Sequence, residues 1–282
     1  MLKRKPLFLL MWFLCMGLLC SKAEEQAVEE FQRPVIGSYR LEAGERRAYS
    51  TYLSPFYYKG KGFALSGYWT KVLPQNPQHL AMSFEGRINF GDLLNPSRTA
   101  RETDLHAGFQ WGLQWQKRLD HDWAIGVGGS AGVYGGVLYL ARNGNNPVSA
   151  QFATGIAATG YISRIIKIKS FPLLVSDRLT LPLMSGFFCQ EFGESFYEIY
   201  LGNHKGLAHF GWPGNRFGID NLISLTLDFG RTAMEVGYRF SMQNERANNL
   251  TTRIFNNAFV IGVIPGGIGL KDKKSKQLNP LY

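Results

Sequence analysis

The sequence predicts an all-β fold: an antiparallel transmembrane β-barrel of about ten strands, made after a signal peptide is cleaved. Three observations carry that expectation. Polar and apolar residues alternate with period two through most of the chain. The composition is 45% hydrophobic and 14% aromatic, with 32 Gly and only 18% charged residues. The first residues carry the pattern of an export signal. A disordered chain would be more charged and less apolar. A disulfide scaffold would be shorter and richer in cysteine. A helical membrane protein would repeat apolar runs of about 18 residues or more, and the mean hydropathy is slightly negative.

Residues 1–23 read as the signal peptide, with Lys3, Arg4 and Lys5 before an apolar run from Leu7 to Cys20 and small residues at Ser21 and Ala23. Cleavage removes Cys15 and Cys20, leaving Cys189 and no internal disulfide. It also removes four bases and no acids, which lowers the net charge from +10 to +6. A basic exported chain meets anionic lipopolysaccharide or phospholipid rather than nucleic acid. Residues 24–60 read as a periplasmic lead-in, 61–265 as the barrel and 266–282 as a polar tail containing Lys271, Lys273, Lys274 and Lys276.

The alternation is clearest at 105–116. There Leu105, Ala107, Phe109, Trp111, Leu113 and Trp115 share one face, while His106, Gly108, Gln110, Gly112, Gln114 and Gln116 share the other. Segments 79–90, 222–229 and 232–242 repeat the pattern. A soluble sandwich alternates too, with its polar face in water. Here the segments are longer than the roughly 5–6 residues of ordinary strands. Their polar faces are rich in Gly and Gln, which suits a tight interior. Tyr68, Trp69, Trp115, Trp123, Tyr139, Tyr161, Tyr197 and Tyr200 fall near segment ends, as in the aromatic girdles of membrane barrels.

The candidate strands are 62–71, 79–90, 104–118, 123–139, 149–164, 171–188, 194–202, 216–229, 232–242 and 251–264. An even number suits a bacterial barrel. The stretch 44–60 is also β-compatible, so eight to twelve strands fit. In this count 203–215 and 243–250 are outer loops and 141–148 an inner turn. It leaves a mismatch: 120–122 becomes a very short outer loop and 91–103 a long inner turn.

Candidate site residues fall in two groups. Glu85, Arg87, His106, Asp228, Glu235 and Arg239 lie on the polar faces, where they would form a network in the lumen. Side chains such as Gln110, Gln114 and Tyr134 would largely fill a narrow barrel. His204, His209 and Trp212 mark an outer-loop site. With Ser195 or Ser224 as nucleophile it would suit a lipid hydrolase, but no Ser/His spacing matches a catalytic pattern. The pair of histidines lacks a third metal ligand nearby. No cofactor, metal or catalytic residue is indicated. The expectation is an outer-membrane protein of a Gram-negative bacterium with a structural or binding role, in contact with outer-membrane lipids, lipopolysaccharide and the barrel-assembly machinery. A narrow pore or transporter and a lipid hydrolase are the alternatives.

Several blocks also resemble a family. They are Thr51-Tyr52-Leu53-Ser54-Pro55 with Tyr58 and Gly60, Ser195-Phe196-Tyr197-Glu198-Ile199, Asn215-Arg216-Phe217-Gly218 with Asn221-Leu222, Gly237-Tyr238-Arg239, Asn248-Asn249-Leu250 and Phe259-Val260-Ile261-Gly262. In this order, over roughly 50–264, they resemble an uncharacterised family of Bacteroidota outer-membrane barrels classified only as a domain of unknown function. Ser50 stands where an acidic residue is expected in that pattern. The resemblance implies a barrel in the envelope and no reaction.

Overall fold

The computed structural model describes residues 35–270, apart from 78, 169 and 170. Residues 1–34, among them the expected signal peptide, and 271–282 lie outside the described residues. The strands are β1 (Ile36–Ser50), β2 (Tyr58–Val72), β3 (Leu80–Leu94), β4 (Arg101–Arg118), β5 (Trp123–Leu140), β6 (Val148–Ile168), β7 (Phe171–Phe188), β8 (Ala208–Gly211), β9 (Arg216–Asp228), β10 (Thr232–Ala247) and β11 (Leu250–Pro265), with helix α1 (Phe196–Tyr200) between β7 and β8. Ten long strands pair in sequence as an antiparallel meander, and β1 pairs with β11 to close the ring. Closure leaves no free edge along that joint, as a β-structure in lipid requires. The short β8 adds to the far end of β7, beyond the end of its pairing with β9.

The outer face explains the exposed apolar residues. Leu105, Phe109, Trp111, Leu113 and Trp115 of β4 point outward, as do Phe63 and Leu65 of β2, Val127 and Val133 of β5 and Phe259, Ile261 and Val263 of β11. A soluble protein does not expose an apolar surface that encircles it. Charges frame this belt. Lys71 of β2 lies toward the end where β1 begins and β11 ends, here called the terminal end. Lys59 of β2 and Arg47 of β1 lie toward the opposite, loop end. On β4 the belt runs from Leu105 to Trp115, about 25 Å of height for a tilted strand. One polar pair interrupts it: Asn221 Nδ2 donates to Asp177 Oδ1 at 2.5 Å. Of the expected girdle, Trp69, Trp115, Trp123 and Tyr139 sit on the outer face, whereas Tyr68 and Tyr161 are buried inside and Tyr197 and Tyr200 lie on α1.

Four expectations need correction. Residues 24–60 are not all a lead-in, because 36–50 form β1 and β2 begins at Tyr58. Arg40, Glu42 and Arg46 point inward on β1 while Glu45 and Arg47 point outward above the belt, so charge on both faces hides the alternation. Segment 194–202 is no strand but contains α1. Ser195 Oγ accepts from Glu198 N–H and the Glu198 carboxylate accepts from Ser195 N–H. This capping box satisfies two helix-end donors and nucleates a turn. The count stays ten because one strand is gained and one lost, but every strand from β2 to β7 runs opposite to the expected direction. That removes the mismatch. The turn at 120–122 joins the terminal ends of β4 and β5, and the 95–100 loop and the 141–147 turn lie at the loop end. The 243–250 segment is mostly strand, reversing at Asn248 and Asn249, whose φ values of 51° and 59° suit a two-residue turn. Finally, residues 266–270 are not a polar tail. Gly266 and Gly267, at φ 84° and 70°, turn the chain back under the barrel.

Candidate functional site: the lumen

Inward residues alternate along each strand, and arginines dominate the cations among them. Arg40 Nε donates to Glu235 at 2.7 Å, and Ser38 Oγ donates to the same carboxylate at 2.7 Å. Arg46 bonds Asp104 through two nitrogens, and His106 Nδ1 bonds Asp104 as well. Arg239 lies within salt-bridge distance of Glu42, Glu85 and Asp220, at 3.2, 2.8 and 2.9 Å. Arg87 bridges Glu42 and Asp220. Arg216 pairs with Glu245 at 2.7 Å. The Arg178 guanidinium lies 3.6 Å from the centroid of Tyr68. A planar guanidinium offers five donors, so one arginine satisfies several carboxylates where a lysine could not match the geometry.

These side chains cross the barrel. Arg46 on β1 reaches β4, Arg87 on β3 reaches β9, and Arg239 on β10 reaches β3. They find room because β5 and β6 present Gly126, Gly128, Ser130, Gly132, Ala153 and Gly155 inward. His106 lies over Gly136, where an added Cβ would sit 2.2 Å from His106 Cδ2, and stacks on Tyr134 with centroids 5.0 Å apart.

Apolar plugs stand at both mouths. At the loop end Ala48, Leu53, Tyr58, Leu93, Ala100, Leu138, Leu140 and Ile254 cluster, with Tyr52 packed against them. Tyr52 Oη donates to Glu194 O at 2.5 Å, and Asn143 Nδ2 donates to Leu53 O at 2.7 Å, so three loops are tied over the mouth. At the terminal end Ile268 and Leu270 insert among Ile36, Ile165, Leu174, Ala233 and Ile264. Asp228 anchors them by accepting from Leu270 N–H at 2.8 Å and Gly230 N–H at 2.9 Å.

Between the network and the small-residue wall lies a cavity of about 210 Å³. Its lining includes Arg87, Asn89, Ser130, Gly132, Ala153 and Arg239. Arg87 Nε, Asn89 Oδ1 and Ser130 Oγ are buried and bond no other group of the described chain.

All six lumen residues named from the sequence face inward, though not as one cluster. Glu85, Arg87, Arg239 and, through Asp104, His106 belong to the middle of the lumen. Glu235 pairs with Arg40 toward the terminal end, and Asp228 holds the plug. Arg40, Glu42 and Arg46 go unflagged in the sequence because they lie in the 24–60 stretch that reads as a lead-in. Arg178, Asp104 and Asp220 sit on recognised strands, and their period-two position was the available signal.

The outer-loop residues are not brought together by any bond between them. His204 is exposed, the His209 ring lies tilted against Phe187 with centroids 5.5 Å apart, and Trp212 is exposed. Ser195 serves the α1 cap, and Ser224 pairs with Ser176 in the lumen at 3.0 Å. Among the described residues no group of three His, Cys, Asp or Glu side chains could hold a metal. Cys189, in the segment after β7, has its thiol pushed up to about 12 by burial, with Glu245 adding to the shift, so it carries almost no thiolate at neutral pH.

A family described as "Protein of unknown function (DUF3316)" matches residues 7–274. No curated protein matches significantly. Among solved structures, the outer membrane protease OmpT from Escherichia coli is similar at 10% identity and a TM-score of 0.46, covering 82% of this chain and 96% of that one. The transport unit of the autotransporter AIDA-I from Escherichia coli is similar at 7% identity and 0.44, covering 90% and 97%. The β-domain of the Bordetella autotransporter BrkA is similar at 11% identity and 0.43, covering 82% and 98%.

Proposed function

The chain belongs to the DUF3316 family, and from that premise we propose that it is an integral outer-membrane barrel with a closed, non-conducting lumen. It serves the Gram-negative envelope as a structural or binding component rather than as an enzyme. One observation carries this reading: an apolar belt encircles a lumen that is ion-paired through its middle and plugged by apolar side chains at both ends. A water-filled pore needs a continuous polar path, and Leu53 and Leu270 stand in it. The loop end, which carries α1, β8 and the longest connection, faces outward, where long loops are usual. Its contacts are then outer-membrane lipids and lipopolysaccharide, and insertion depends on the barrel-assembly machinery.

Planar-bilayer recording of the purified protein tests the closed lumen. The expected trace is silent for the native protein and for Glu235→Gln. A stable, ion-selective step that Glu235→Gln or Arg239→Ala alters would replace this reading with a narrow pore. Lipid hydrolysis has less support, because Ser195 and Ser224 are both bonded elsewhere and neither bonds a histidine. Unchanged lipid A and phospholipid masses on expression, with His204→Ala and His209→Ala as controls, are expected.

A further inference from the structure

We propose that the luminal cavity binds a single-chain amphiphile with a carboxylate head, a fatty acid, which reaches it sideways from the membrane through the wall between β7 and β9.

The wall is incomplete at one place. Pairing between β7 and β9 stops at Thr180 and Asp220, and β7 resumes at Ser185 by pairing with Gly211 of β8. Between these points 181–184 and 216–219 share no ladder. Two features of β7 cause this. Pro182 has no N–H to donate. Leu183 is the extra residue of a bulge, since Ile156 pairs with Met184 and Ala157 with Pro182, and a bulge locally ends regular pairing. On the other side the chain leaves the wall through the turn at 212–215 and returns with Gly218, so here the two strands meet only through side chains, the Pro182 ring over Gly218 and Arg216 Nη1 donating to Ser185 Oγ at 3.4 Å. Unpaired backbone in lipid costs several kcal/mol per group, so a barrel with only a structural role gains nothing from such a seam.

The seam and the cavity are continuous. Thr180, Pro182, Ser185, Arg216, Gly218 and Asp220, from both sides of the gap, line the cavity. Both mouths are plugged by apolar clusters, so the wall is the route that leaves the plugs in place.

The interior matches an amphiphile. On the lining, Arg87 Nε and Ser130 Oγ are donors without a partner in the described chain. A carboxylate accepts from both, and a charge-assisted bond to a buried guanidinium is among the stronger kinds. Asn89, also on the lining, presents an unpaired Oδ1, and a 180° turn of its amide offers a further donor. Gly132, Ala153, Gly155, Ala157 and Pro182 supply an apolar stretch of the lining, to which Glu85, Gln110 and Asp220 add polar groups. A cavity of about 150 Å³ accommodates benzene, so this one has room for a short to medium alkyl chain.

The test uses octanoate, with octyltrimethylammonium as the cationic comparator, on the mature protein folded in nanodiscs. Octanoate should bind saturably at one site per chain, and octyltrimethylammonium at least tenfold more weakly. Ala153→Leu fills the tail space and Ser130→Ala removes a head donor; each should weaken octanoate at least tenfold while the β-sheet circular dichroism is unchanged. A Pro182→Cys/Gly218→Cys pair in a Cys189→Ser background staples the seam, since a Cβ on Gly218 would sit 3.1 Å from Pro182 Cγ. The oxidised pair should slow octanoate uptake at least tenfold, and dithiothreitol should restore it. Absence of saturable octanoate binding overturns the site. Equal affinity for the cation overturns the head assignment, and uptake at the native rate by the oxidised pair overturns the lateral route. The site rests on the closed-barrel reading but fails separately, because a silent bilayer trace without octanoate binding removes only the site.

Discussion

The two sides of the lumen are built on opposite principles. β1, β3 and β10 present long charged side chains, among them Arg40, Glu42, Arg46, Glu85, Arg87, Glu235 and Arg239. β5 and β6 present Gly, Ala and Ser over most of their central length. Neither side works alone. The arginines need space to cross the barrel, and the glycines leave space that only side chains from elsewhere can fill. The lesson is that low charge and high Gly content are parts of one device: a few ions, most of them paired, in an interior widened by the absence of side chains opposite them. Where the crossing stops short, the cavity is what remains.

Ordered by size, the following changes test that division. Arg239→Ala removes the shared partner of Glu42, Glu85 and Asp220. Stranding buried charges costs about 3–5 kcal/mol, read as a lower urea midpoint for unfolding from vesicles. Gly136→Ala attacks the junction of the two sides, because the new Cβ would lie 2.3 Å from Leu105 O as well as against His106. Overpacking of that kind costs about 1–3 kcal/mol in the same assay. Ala153→Leu adds volume where the cavity can take it, so its effect should stay below about 1.5 kcal/mol. If it destabilises as much as Gly136→Ala, the small-residue side is not under-filled and the contrast fails.

Two smaller effects concern the loop end. Native Cys189 should react with iodoacetamide at pH 8 roughly 10³-fold more slowly than a free cysteine, as its raised thiol pKa implies. Labelling at the free rate would mean that the loop over the mouth opens readily. The smallest effect belongs to Glu198, whose carboxyl is held below its ordinary 4.5 by the Ser195 N–H and hydroxyl. A depressed pKa in the folded state stabilises the cap above pH 4.5, and that contribution is lost as pH falls through the folded value. The protection of α1 amides, taken relative to intrinsic exchange at each pH, should therefore fall below pH 4.5 in the native protein and show no such step in Glu198→Gln.

Legibility in the sequence followed the chemistry of each face. At 105–116 one face meets lipid and the other a crowded interior, and the pattern reads without ambiguity. In β1 the strand rises past the belt, so Glu45 and Arg47 are outward charges in water and mimic a loop. Around 194–202, aromatic residues suggested a strand while Ser195 and Glu198 spelled a capping box, and the local hydrogen bonds prevailed. Ile268 and Leu270 sit in a short Gly-rich stretch that carries no period, so their burial was invisible.

Alternation and composition sufficed for the class of fold and for the inward direction of Glu85, Arg87, His106, Asp228, Glu235 and Arg239. These are properties of single strands, and a period of two is local. Which arginine meets which carboxylate, that both mouths are plugged, and that β7 and β9 part at Pro182 depend on ring closure and register. Those bring Arg239 to Glu85 across the sheet and set Gly218 beside Pro182, contacts between residues far apart in the chain that no local pattern encodes.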